Sequence, residues 1–276
     1  MTPALRRMLV LAALGLAVAL AWLAPMDSAA STHAQAGLKR ALATFAAARA
    51  LNAAISVAKG TELSVAPAGL GVTLTPGQVL DPVDDLVEQF SSLMLMASVA
   101  FGVEIALIRM GAHWLVAAVL TAIAAAWAWR AWRGQPRLAW LDRLVIAALL
   151  VRFAVPLVVL GSEAGFRLFL EGDYAAGHAA IESSGREIDA RAAPSAVPKG
   201  EESIVERLKG WWSRAPDVSQ KIDELKTIAG RAIEHVVRLI VVFLLQTLVV
   251  PLLLLWALVR AGRGLAALGG KAGPGT

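Results

Sequence analysis

The chain contains no cysteine, which removes disulfides, thiolate zinc sites, iron–sulfur clusters and covalently attached haem in one step. It also lacks a P-loop, a GxGxxG and a GxSxG; the nearest approach, GSEAG at 161–165, puts its serine one place early. The histidines, His33, His113, His178 and His235, are scattered without HExxH or another metal-ligand spacing. No internal repeat is visible. With no motif that fixes a reaction, the chain is read as non-enzymatic, without cofactor or metal. The last absence points to a class: from Leu239 to Val259 there is no charged side chain, and about 20 apolar residues match the ~30 Å hydrocarbon core of a bilayer.

What is present is apolar surface. Of 276 residues, 58% are hydrophobic, more than a soluble domain carries. The expected fold is an all-α polytopic membrane protein of about five apolar helices, with a small extramembrane domain containing a β-hairpin and amphipathic helices. The net charge of +5 lies beside the apolar runs, at Arg6, Arg7, Arg130, Arg133, Arg260 and Arg263. Membrane topology accounts for it better than nucleic acid does.

In chain order, residues 1–25 form a basic start and an apolar run closed by Trp22 and Pro25, a signal peptide or, preferred here, an uncleaved signal-anchor. Residues 26–81 are assigned to an extramembrane helix plus hairpin. An Ala-rich helix over 36–59 carries Leu38, Leu42 and Phe45 on one face and stops at Gly60, and alternating residues in 61–65 and 71–75 read as the hairpin. Residues 82–161 are read as membrane helices two to four. The first of them starts at Asp81-Pro82, with a cap, a first-position proline and acidic residues in its first turn. Tryptophans Trp114, Trp127, Trp129, Trp132 and Trp140 mark span ends. The polar segment 162–216 holds a helix around 172–188, a linker at 193–200 and an amphipathic helix at 201–214, whose Trp211 and Trp212 are candidate membrane-surface contacts. Residues 217–263 are read as one helix, a stalk running into the last span, and 264–276 as a flexible basic tail. The stalk's seam of Ile222, Leu225, Ala229, Ala232 and Val236 is the candidate partner or homo-oligomer surface.

The chemistry-bearing candidates lie inside the apolar runs. Glu104 and Arg152 fall at membrane depth, where an ionisable group is costly and faces protein or marks a pathway, and the two are expected to pair. Gln246, Thr247 and Pro251 form a polar notch and kink. Asp81, Asp84, Asp85 and Glu88 are accounted for by helix capping rather than by calcium or magnesium, and Ser56 with Lys59 makes an isolated S-x-x-K. A plain five-span count with the N-terminus inside puts the 130–143 loop and the basic tail outside, against the positive-inside tendency. The preferred alternative keeps both tails and that loop inside, with part of 91–129 re-entrant. These features lead to a bacterial-type inner-membrane protein whose extracytoplasmic domain serves interaction, scaffolding or signalling. The alternative is a transporter or channel subunit that uses Glu104 and Arg152.

Overall fold

A computed structural model of the chain describes residues 3–60, 81–135, 138–192, 227–228 and 230–270. Long helices account for nearly all of them. These are α1 (Pro3–Leu23), α2 (Pro25–Gly60), α3 (Asp81–Gly111), α4 (Trp114–Trp132), α5 (Ala139–Gly165), α6 (Glu171–Ala192), α7 (230–244) and α8 (Val250–Gly270). Single π turns, Phe166–Leu170 and Leu245–Val249, join α5 to α6 and α7 to α8. The expectation of a domain with a β-hairpin is corrected: the fold is all-helical, and no strand occurs among the described residues. Segment 61–75, where the hairpin was expected, lies outside them, as do Trp211, Trp212, Ile222, Leu225 and Ala229.

Among the described residues four helices are long and apolar enough to cross a membrane: Asp81–Gly111, Trp114–Trp132, Ala139–Ile188 and Gly230–Gly264. The pair Met8–Leu23 and Pro25–Val57 passes the same test only together, bent by 53°. The chain is therefore bent between α1 and α2, whereas α3 and α4, where a re-entrant dip was expected, are each long enough to span.

Burial along α2 recurs at steps of three and four through Asp27, Ala30, Ala34, Gly37, Ala41, Thr44, Ala48, Leu51 and Ile55, the spacing of a helix packed along a seam. The seam is made mostly of small side chains, and the Leu38, Leu42 and Phe45 face lies off it: Leu42 is 45% exposed. Small residues let helix backbones approach closely, and larger side chains from neighbouring helices fill the remaining space. In α3 the complementary pattern uses larger groups, Val83, Val87, Phe90, Met94, Phe101 and Ile108.

The chain divides into two compact units. Unit 1 takes α1, α2 as far as Lys39, α3 from Ser98, α4, α5 to Phe169 and the last helix from Leu244. Within it Leu14 packs with Ala124 and Val145, and Ala21 with Ala117 and Leu120. Numbers rise along α1 as they fall along α4, so these helices are antiparallel. The α8 helix runs antiparallel to α5, with Gly262 against Ile146 and Leu150, Gly161 against Leu254 and Gly165 against Val250. Gly134, at φ 67 in the left-handed region that favours glycine, turns the chain out of α4.

Unit 2 takes α2 from Arg40, α3 to Ala97, α6 and α7 to Phe243. Its core contains Phe90, Met94, Ile181, Ile188, Ile228 and Leu239, while Arg49, Glu88, Glu182 and Glu234 are exposed. Tyr174 meets the edge of Phe243, Gly177 lies against Leu239, and Arg238 Nη1 is 3.6 Å from Asp173 Oδ1. Ala232 and Val236, expected on the partner seam, are fully buried by the chain's own helices.

Close helix approach supplies a first test. A methyl group on Gly177 would come within 2.7 Å of Leu239 Cγ, and one on Gly37 would run into the Phe101 ring. Gly177→Ala and Gly37→Ala are each expected to destabilise by about 1–3 kcal/mol through overpacking, despite alanine's better helix propensity. Thermal unfolding followed by circular dichroism checks this, and stabilisation would mean that these seams are loose.

At the far end of α2, Lys59 Nζ lies 2.6 Å from Asp81 Oδ1 and 2.9 Å from Asp84 Oδ2. The ammonium occupies the acidic cluster at the start of α3 and is thereby removed from any S-x-x-K arrangement with Ser56, which is exposed. Hydrogen bonds to Asp81 and then Asp84 raise its pKa above the ordinary 10.5. A folded pKa above the unfolded one gives stability that is fully present below pH 10.5 and lost as pH climbs through the folded value. Lys59→Met is expected to cost about 1 kcal/mol or less, the range of partly exposed ion pairs, and to flatten this alkaline limb of the pH–stability curve.

Candidate functional site: a buried ion pair at a helix break

The α1 helix ends because Pro25 cannot continue it. Proline has no N–H to return to the carbonyl four residues back, and its ring disfavours a helical residue before it. Ala24 accordingly sits at φ 49, a left-handed conformation that is uncommon for a residue with a Cβ. Pro25 then suits the first position of α2, and Asp27 falls in that helix's first turn, where the dipole favours negative charge.

The carbonyl orphaned by Pro25 is that of Ala21, and Arg152 of α5 supplies its donor, with Nη2 2.9 Å from the oxygen. The same guanidinium grips Asp27 in a bidentate fork, Nη1 to Oδ1 at 2.9 Å and Nη2 to Oδ2. Arg152 is 1% exposed and Asp27 6%. One side chain thus neutralises a buried carboxylate, caps a broken helix and ties α5 to both sides of the break. Its Nε has no hydrogen-bond partner among the described residues.

A second polar group lies further along α5. Glu163 is 5% exposed; its Oε1 accepts from Arg167 Nε at 3.0 Å and lies 3.8 Å from His33 Nδ1 of α2. Beside it Ser162 is buried, and its Oγ has no partner among the described residues. In the last helix Gln246 is buried within the π turn, where Val250 N–H reaches back to the Leu245 carbonyl. The turn lies just before Pro251, so the helix bulges and continues instead of breaking.

The structure does not bring Glu104 and Arg152 together. Arg152 is committed to Asp27 and Ala21, and no hydrogen bond or ion pair joins it to Glu104. Glu104 is half-buried at a core-facing place of α3, three residues after Phe101 and four before Ile108. Sequence reasoning identified the costly cation and missed its partner. Asp27 stands among small residues that resemble a cleavage region, and the available signal was its place two residues after Pro25 at a helix start. His33 and Glu163 carried no spacing signal, because they lie on different helices.

The described helices define a multi-helix protein with apolar spans and a helical non-membrane region. Comparison with protein-family models, curated proteins and solved structures finds no match.

Proposed function

We propose that the chain is a non-catalytic, multi-pass protein of a bacterial-type inner membrane, with α1 retained as an anchor and unit 2 acting as an extracytoplasmic interaction or signalling module. The observation that carries this is the use made of Arg152. Its charge is spent on holding the α1–α2 break closed, which suits a static frame and leaves nothing to hand a moving ion. The polar outer face of unit 2 over a sealed apolar seam suits contact with another protein.

A second reading, transport, draws on Glu104, a carboxylate at a core-facing position of a span with no ion pair among the described residues. The test is purified chain in proteoliposomes under a pH gradient, read with a trapped pH dye. Leak equal to empty vesicles, for wild type and Glu104→Gln alike, is the expected result. A flux that wild type supports and Glu104→Gln abolishes makes the protein a transporter and overturns the proposal.

A further inference from the structure

We propose that one end of unit 1 is a binding surface for anionic phospholipid headgroups. Helix directions create it. The antiparallel run of α1 against α4, the short connection into α5 and the antiparallel run of α8 against α5 place the start of α1, the end of α4, the start of α5 and the end of α8 at one end. That end gathers Arg133, Arg143 and Arg263 together with the α1 backbone positions of Arg6 and Arg7.

The carboxylate nearest in sequence, Asp142, is already engaged, its Oδ1 accepting Trp127 Nε1–H at 2.6 Å. Among the described residues no carboxylate pairs with Arg133, Arg143 or Arg263. Arg133 lies instead on an indole face, 4.5 Å from the Trp129 ring. That indole is 62% exposed, and Trp132 at 88% and Trp140 at 58% stand open at the same end.

An exposed indole with an arginine above it matches the boundary of a bilayer, where the ring lies among glycerol backbones and the guanidinium reaches phosphate. Guanidinium binds phosphate in a fork, and a cluster of several that outnumbers its one neighbouring carboxylate, Asp142, attracts a surface of negative headgroups. Charge complementarity therefore selects anionic over zwitterionic lipid, and the exposed tryptophans select lipid over a free anion.

The experiment uses the full chain in mild detergent, titrated with phosphatidylglycerol or phosphatidylcholine and read by retained adducts in native mass spectrometry. Wild type is expected to retain phosphatidylglycerol preferentially, with each lost arginine weakening retention roughly fivefold, as expected for a basic residue at a charged surface. The variant Arg133→Gln/Arg143→Gln/Arg263→Gln should lose the preference, and the triple lysine exchange at the same positions should keep most of it. An equal charge loss elsewhere, Arg49→Gln/Arg109→Gln/Arg231→Gln, should leave it intact. Equal retention of both lipids by wild type, or loss of the preference in the second glutamine set alone, overturns the proposal, as does complete displacement of lipid by millimolar inorganic phosphate. The first two outcomes need no glutamine variant of the basic end to fold. The assay is independent of flux and of membrane orientation, so it can fail while the proposed function stands.

Discussion

Asp27→Ala is expected to lower stability by about 3–5 kcal/mol, the cost of leaving a buried charge without its partner. The loss arises because Arg152, at 1% exposure, has no route to water, and deleting Asp27 removes the acceptor of two of its donors. The double variant Asp27→Leu/Arg152→Leu takes both charges out and is expected to recover most of that loss, since an apolar pair of similar volume avoids desolvation altogether. Recovery stays incomplete, because the Ala21 carbonyl loses its Nη2 donor and Pro25 offers none. Tryptophan fluorescence during thermal unfolding in detergent reads all three proteins. In the same assay Glu104→Gln and Arg152→Gln are expected to add, as sites that share no contact do. Wild-type stability in Asp27→Ala would sink the clamp, and a strong non-additive term with Glu104 would restore the sequence-based pair.

The second large effect concerns register. Along α5 the buried positions fall at Arg152, Pro156, Val159, Glu163 and Phe166, and in α6 at Gly177, Ile181, Ser184 and Ile188. Between them the π turn Phe166–Leu170 accommodates one residue more than an α-helix would. Deleting Leu168, which is 75% exposed within that turn, is therefore expected to convert it to ordinary helix and keep both seams facing inward. Deleting Ala179, in the regular part of α6, rotates everything after it by about 100°. Ile181 and Ile188, both essentially fully buried, would turn out of the core, at about 1.5–3 kcal/mol for each side chain. Limited proteolysis and the far-ultraviolet melting curve compare the two deletions. If both are tolerated, or if Leu168 is the more damaging loss, the turn is not a register device.

Several elements were legible in the sequence because their causes are local. Helix over 82–110 is written in Asp81-Pro82 and the acids that follow, helix over 36–59 in its run of alanines, and the span in the last helix in its run of uncharged residues. Other features were misread for lack of contrast. In an alanine-rich helix the sequence offers no clear apolar stripe, and grouping Leu38, Leu42 and Phe45 on one face left out the small residues that pack. Where a neighbour presents Phe101 or Ile108, close backbone approach through glycine and alanine gains more than burying leucine.

By itself the sequence determined span length, the main helical runs and the basic character of particular helix ends, because each follows from interactions within a few residues or from the cost of placing charge in hydrocarbon. The tertiary structure decided which carboxylate answers Arg152. Asp27 stands 125 positions away, and no periodicity links such distant residues. Their meeting depends on how α5 packs against the α1–α2 break, where a proline leaves one carbonyl bare and an arginine from another helix can serve both it and the acid.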